Sequence, residues 1–334
     1  MKVGIIGAGI VTSGSHLPVL VNMPGVTVDW ICDKSATAAA AVARSYKIGA
    51  TFTHISECPD VDAVLVATPV GARKTVIPEA LARGWHVFSE KPFALTLEEH
   101  DFYIAEARRH GRQIAVGQVR RYAKPSATAR QLIERQFLGP ILRVGAAEGF
   151  RMRATGRGTG WHMTDPAAGG GVLMETGSHL VDQVLFVLGA RQAVLREAAQ
   201  RRHLGLELAS SLVADVTTNS GETVQCSIEL SMLDDLCNGV FIEFPNYILK
   251  VGLFFEDSLS LVTAEGETLA QLIPTEGTDN PTGGFAAEWS DFFEQCRTGR
   301  PSIIDAGTVR QTTALIEAAY RASRPVEPVK EGAL

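Results

Sequence analysis

Five aliphatic or β-branched runs fall within the first 120 residues, separated by helical stretches of roughly ten to fifteen residues. No other feature constrains the fold as tightly. The runs are Lys2–Ile6, Val26–Cys32, Val61–Ala67, Trp85–Ser89 and Gln113–Val116. Between them lie a helix through about Val21, an alanine-rich helix over Ser35–Tyr46, a third over Arg73–Arg83, and a fourth that opens on Thr96-Leu-Glu-Glu99 and runs to Gly111. In that fourth opening, a threonine hydroxyl and a glutamate three residues on can satisfy the first backbone N–H groups of the helix. Strands joined through helices require right-handed crossovers, hence a parallel sheet covered on both faces. This first domain is expected over residues 1–120.

The rhythm then changes. Ser126–Phe137 reads as a helix stopped by Gly139-Pro140, Ile141–Phe150 as a strand, and Val172–Leu188 as a helix ended by Gly189. From Ala193 to Ile273 strand follows strand, with hairpin turns at Asn219-Ser-Gly221 and Ala264-Glu-Gly266. Two helices, Phe285–Thr298 and Asp305–Ser323, close the chain. The expectation is a second α/β domain over 121–334, built on a mainly antiparallel sheet. A chain of 334 residues has room for both.

A formal net charge of −6 offers no basic stripe for nucleic acid or an anionic membrane. No apolar run approaches the ~20 residues of a membrane helix. The five cysteines form no C-x-x-C pair. They read as reduced, small core residues and argue against a disulfide scaffold or a zinc cluster. With no secretory leader ahead of the first strand, a cytoplasmic setting is expected.

Chemistry enters at the strand ends. Gly7-Ala-Gly9-Ile10-Val11-Thr12 follows the first strand and opens a helix. Gly7 permits a tight turn, and Gly9 lets a pyrophosphate approach the backbone and the helix N-terminus. Asp33 ends the second strand, where a carboxylate can accept from ribose hydroxyls and would repel a 2′-phosphate. It therefore favours NAD over NADP, and Lys34 next to it softens that preference. A plain strand-to-helix turn and a helix N-cap are the competing explanations for the glycines and for Asp33.

Ser89-Glu90-Lys91-Pro92-Phe93 after Gly84-Trp-His-Val, taken with these glycines, resembles the glucose–fructose oxidoreductase/inositol dehydrogenase family, also called Gfo/Idh/MocA. Ala67-Thr68-Pro69 is similar to its cofactor-contacting turn. The run Gly169-Gly-Gly-Val-Leu-Met-Glu175-Thr-Gly-Ser-His179 is similar to its G-G-G-x-x-x-D-x-x-x-H signature, with Glu where Asp is usual. The resemblance covers nearly the whole chain. It implies an N-terminal Rossmann domain with a doubly wound parallel sheet, followed by a C-terminal α/β domain with a large open, mainly antiparallel sheet. The open face implies a homodimer or homotetramer.

The implied chemistry is hydride transfer between a nicotinamide and a hydroxyl or ketone carbon of a cyclitol, sugar or sugar derivative. Such a reaction needs a proton acceptor beside the hydroxyl. His179 suits that role, and Glu175, one helical turn earlier, could orient it. Lys91 lies where sites in open α/β sheets collect, and its ammonium could stabilise a developing alkoxide. The resemblance adds Thr68, Pro69, Glu90 and Lys91 to the cofactor side. It also places Gln118, Arg121 and Tyr122, with Trp161, His162 and Asp165, near substrate. Two positions depart from the family, with Val70 and Arg73 where Asn and His are usual. Arg151, Arg153 and Arg157, in the glycine-rich stretch Arg151–Gly160, are read either as a clamp on an anionic substrate or as a solvated loop. A redox-neutral NAD-dependent glycoside-cleaving enzyme and a non-catalytic NAD(P)-binding regulator are the alternative functions.

Overall fold

Val3 through Ile6, the last four residues of β1 (Lys2–Ile6), are all buried, as the uninterrupted aliphatic run requires. In the computed structural model, which describes residues 1–151, 170–203, 205–254, 258–272 and 281–325, the chain divides into two units. One comprises Met1–Val119 and Asn280–Arg310, the other Arg120–Asp279 and Gln311–Leu334.

In the first unit β1 leads through a π-type turn, Thr12–His16, into α1 (Leu17–Leu20). Then follow β2 (Thr27–Cys32), α2 (Ala36–Tyr46), β3 (Ala50–Phe52), β4 (Ala63–Val66), α3 (Arg73–Ala82), β5 (His86–Ser89), α4 (Leu97–Arg109) and β6 (Ile114–Val116). The sheet order is β3-β2-β1-β4-β5-β6, parallel throughout. That is the doubly wound arrangement, with its switch of direction between β1 and β4. The capping pattern at α4 forms: Thr96 Oγ1 accepts from Glu99 N at 3.1 Å, while Glu99 Oε2 reaches Leu95 N at 3.0 Å.

In the second unit α5 (Lys124–Glu134) and β7 (Arg143–Gly149) precede two helices, α6 (Val172–Glu175) and α7 (Gly177–Val187). The single helix expected over 172–188 is thus interrupted at Thr176, which nonetheless keeps helical dihedrals (φ −82°, ψ −40°). The sheet is built from β8 (Ala190–His203), β9 (Leu206–Thr218), β10 (Thr223–Ser231), β11 (Gly239–Glu243), β12 (Tyr247–Val251), β13 (Leu259–Thr263), β14 (Thr268–Leu272) and β15 (Arg324–Pro325), together with β7. Among the described residues it has nine strands in the order β14-β13-β12-β11-β7-β10-β9-β8-β15. Among the described residues, only the β7–β10 and β8–β15 pairs are parallel. β10 alternates from Thr223 to Leu230, with Val224, Cys226, Ile228 and Leu230 buried and Thr223, Gln225, Ser227 and Glu229 exposed, so one sheet face is covered and the other open. Cys237 is exposed and Cys296 half-buried, so not every thiol is the core residue expected, although Cys32, Cys58 and Cys226 are.

The return segment brings α8 (Pro281–Thr298) and the start of α9 (Ala306–Ala322) to the first unit. Val116 N donates to Ile304 O at 2.9 Å, and Ala115 bridges Asp305, so the chain adds an antiparallel contact beside β6. Trp289 stacks on Phe88 with ring centroids 4.4 Å apart, and both Trp289 and Phe292 are fully buried. No helix among the described residues is long and apolar enough to cross a membrane.

Candidate active site

Strands β1, β4 and β5 are neighbours, with Ile6 paired to Val66 and Val66 to Ser89. Their carboxyl ends therefore deliver Gly7, Ala67–Pro69 and Glu90–Pro92 to one edge of the sheet. Gly7 has φ +108°, and a Cβ there would lie 2.6 Å from Ala67 O, so no side chain fits. At Gly9 an added Cβ would meet nothing within 4 Å, which leaves open space beside the first turn of the helix. Ile10 is 90 % exposed and Val11 half-buried. Thr12, at the third glycine position, is fully buried and donates its hydroxyl to Gly7 O at 2.7 Å, so it closes the turn that a glycine would otherwise leave to packing.

Asp33 binds both sides of that turn. Its Oδ2 accepts from Ala8 N and its Oδ1 from Ser35 N, each at 2.8 Å. A carboxylate offers about four acceptor sites, so two remain for ribose hydroxyls. Ser35 itself caps α2, which removes the cap role from Asp33. Lys34 is exposed. Thr68 Oγ1 is buried without a hydrogen-bond partner, and Pro69 beside it is half-buried. The open space at Gly9, the unused carboxylate sites and this orphaned hydroxyl fit a dinucleotide.

Lys91 is half-buried and precedes a cis peptide bond to Pro92. Its backbone N–H donates to Glu90 Oε2 at 3.0 Å, while Glu90 Oε1 accepts from His16 Nε2 at 2.8 Å. Glu90 is thus turned into the protein and supports Lys91 from behind. Burial pushes the Glu90 carboxyl up, but the hydrogen bond from His16 and the charges of Lys91 and Arg73 outweigh it and hold the group below the usual carboxylate range. A Cβ at Gly117 would stand 2.9 Å from Glu90 Oε1, so the glycine after β6 leaves room for the carboxylate. Sequence reasoning missed His16: nothing local marks it, and its second hydrogen-bond partner, Trp289, lies 273 positions away.

In the second unit Glu175 and His179 are both half-buried. Leu180 N donates to Thr176 O at 3.2 Å and His179 N to Thr176 O at 3.0 Å, so the one-turn spacing survives the interruption. Glu207, also missed, explains Gly170 and Gly171. Its Oε1 accepts from Gly171 N at 2.9 Å and Leu173 N at 3.2 Å, and Tyr320 donates its hydroxyl to the same oxygen. A Cβ at Gly171 would be 2.0 Å from Glu207 O, and one at Gly170 2.6 Å from the Tyr320 hydroxyl. Here the glycines let a buried carboxylate cap the helix that leads to Glu175 and His179.

Arg121 forms a buried two-point pair with Asp182, Nε to Oδ2 at 2.7 Å and Nη2 to Oδ1 at 2.6 Å, and Thr312 donates to the same carboxylate at 2.9 Å. Arg120 is paired likewise with Glu148. Gln118 is buried and Tyr122 half-buried. Arg151 is exposed, and its N–H donates to Asp235 Oδ1 at 3.0 Å. Trp161, His162, Asp165, Arg153 and Arg157 lie outside the described residues.

Residues 1–118 match the oxidoreductase family with an NAD-binding Rossmann fold, and residues 126–237 match the GFO/IDH/MocA C-terminal domain. The chain belongs to the GFO/IDH/MocA oxidoreductase family, and its N-terminal unit is an NAD-binding Rossmann domain. It is 31% identical over 189 residues to a 1,5-anhydro-D-fructose reductase of Ensifer adhaerens, covering 55% of this chain and 56% of that protein. It is 26% identical over 242 residues to an inositol 2-dehydrogenase/D-chiro-inositol 3-dehydrogenase of Lacticaseibacillus casei, covering 69% and 66%. The matched stretches thus span less than two thirds of either relative. The fold is that of KijD10, a 3-ketoreductase from Actinomadura kijaniata, whose Y186F mutant was solved with TDP-benzene and NADP: TM-score 0.85, 18% identity, 99% of each chain covered.

Proposed function

We propose that this protein is an NAD(P)-dependent oxidoreductase that moves a hydride between the nicotinamide and a hydroxyl or ketone carbon of a cyclitol, sugar or sugar derivative. The observation that carries this reading is the placement of Lys91 at the carboxyl end of β5, on a loop held by buried Glu90 beside the glycine turn. The related reductase and inositol dehydrogenase support the substrate class. When bound, the nicotinamide supplies the hydride acceptor or donor. Lys91 holds the substrate oxygen and stabilises charge on it as the proton leaves. His179 takes or returns that proton, and Glu175 orients the imidazole. Gln118, Tyr122, Trp161, His162 and Asp165 contact substrate in this reading. Arg121, engaged by Asp182, acts by fixing α7 three residues beyond His179 rather than by reaching for substrate. Asp33 directs the preference to NAD.

A cytoplasmic setting and a dimer or tetramer formed over the open sheet face complete the reading, and sedimentation of the purified protein tests the assembly. The activity is tested by titration with NADH and NADPH through nicotinamide fluorescence, followed by assays of NAD reduction on cyclitols, aldoses and glycosides. Lys91→Met should abolish turnover and leave NADH binding nearly intact. A protein that binds neither nucleotide, and releases none on heating, is not this enzyme.

A further inference from the structure

The backbone ladder between β4 and β5 ends with Glu90 N donating to Val66 O at 2.9 Å. Beyond it the two chains continue as the Thr68 turn and the Glu90–Pro92 loop, and there Arg73 takes over. Its side chain, only 3 % exposed, donates to Thr68 O from Nη2 at 2.9 Å and from Nε at 3.2 Å. Nη1 makes close contacts with the carbonyls of Glu90 and Pro92, and Nη2 lies 3.5 Å from Lys91 O. One guanidinium therefore gathers four carbonyls from two segments, three of them consecutive. A planar fork with five N–H groups can do this, and an imidazole or an ammonium cannot. With the 90, 91 and 92 carbonyls held by Arg73 and the Lys91 N–H held by Glu90, the peptide planes on both sides of Lys91 are fixed.

We propose that Arg73 is a positioning residue: it locks the cofactor turn at Thr68 and the Lys91 loop into one rigid element, so that nucleotide binding and lysine placement both depend on it. This rests on the roles given above to Thr68 and Lys91.

The test compares wild type, Arg73→Ala and Arg73→Lys by NADH fluorescence titration and by amide hydrogen exchange of the nucleotide-free protein. In Arg73→Ala, NADH affinity should fall about tenfold or more, the scale expected of a small misplacement at a site. Exchange should quicken in residues 68–70 and 89–93 while the β1, β4 and β5 amides keep their protection. Added guanidinium ion, but not methylammonium, should restore both. Arg73→Lys keeps the charge without the fork and should show an intermediate loss with no rescue. Wild-type affinity and exchange in Arg73→Ala would overturn the proposal, as would full function in Arg73→Lys. Quickened exchange throughout the unit without rescue by guanidinium would reduce Arg73 to a packing residue and equally defeat it. Should Arg73→Ala fail to fold, Arg73→Lys decides. If wild type itself binds no nicotinamide nucleotide, the functional reading fails, whereas the exchange comparison still judges the clamp.

Discussion

Trp289 donates its indole N–H to His16 Nδ1 at 3.0 Å, and this assigns the Nε2 proton of the neutral ring to Glu90, 2.8 Å away. The indole is a donor only, so the neighbouring nitrogen must accept. A helix near the end of the chain thus sets the tautomer of a histidine near its beginning, and through it the orientation of the carboxylate under Lys91. Trp289→Phe should keep the stack on Phe88 but leave a buried acceptor unpaired, at a cost of about 1–3 kcal/mol. Urea unfolding measures it, and a loss no greater than that of an exposed-site control would refute the relay.

Two glycines should respond oppositely to alanine. Gly9→Ala meets no atom within 4 Å, so stability should be nearly unchanged while NADH binding weakens by about tenfold or more, because the methyl group occupies the approach to the helix N-terminus. Gly171→Ala would collide with Glu207 O and should destabilise the protein by roughly 3 kcal/mol or more. Thermal melts and NADH titrations of both variants check the pair. A stable Gly171→Ala protein would remove the account of Gly171.

Asp33 predicts tighter binding of NADH than NADPH, by roughly tenfold or more. Asp33→Asn should narrow that preference and weaken both cofactors, since one of its two backbone N–H partners loses a charged acceptor. Lys34→Ala should widen the preference only slightly. Equal affinity of the wild type for the two nucleotides would contradict the argument.

Acid should weaken the fold in a defined window. Burial and the charge of Arg112 lower the His86 imidazole to about 4, and burial lowers His100 to about 4 despite its bond to Ala306 O. Unfolded histidine titrates near 6.5, so between about 6.5 and 4 the unfolded chain binds protons that the folded one refuses. The stability these groups contribute is present above pH 6.5 and is lost as pH falls through that window. The slope is at most about 1.4 kcal/mol per pH unit for each, with the His86 share reduced by solvent screening. Glu90, held below its ordinary value, extends the loss to lower pH. Urea unfolding at pH 7, 6 and 5 should show the decline, and a flat profile over that range would count against it.

The parts of the molecule legible in sequence are those written locally. Buried strands show as aliphatic runs, and their ends at Gly7, Asp33, Thr68 and Ser89 show because glycine, proline and acidic residues interrupt them. The hairpins at 219–221 and 264–266 are legible for the same reason. β3 escapes notice because three residues carry no period. The parallel β7–β10 pair escapes because the alternating pattern of a strand is silent about its partner's direction. At the site, Lys91 and Gly9 are visible from motif context, whereas His16, Trp289 and Glu207 act across 273 and 36 positions, where spacing carries no signal. Arg73 stands out in sequence only as a departure. Its physical role needs four carbonyls to converge, and no residue type encodes that.

The Rossmann unit is not finished when its sixth strand is made. Phe88 in that sheet is covered by Trp289 and Phe292, and Val116 waits for Ile304. During synthesis the first unit therefore emerges with an uncovered aromatic surface. It stays so until nearly two hundred further residues have followed, on the order of 10 s at ordinary elongation rates. Two consequences follow for the living cell. A chain truncated after the last Rossmann strand should therefore expose Phe88 and be prone to aggregation or proteolysis rather than fold as a miniature of the first unit. The tautomer of His16, and with it the seating of Glu90 under Lys91, is also left unset until translation is almost complete.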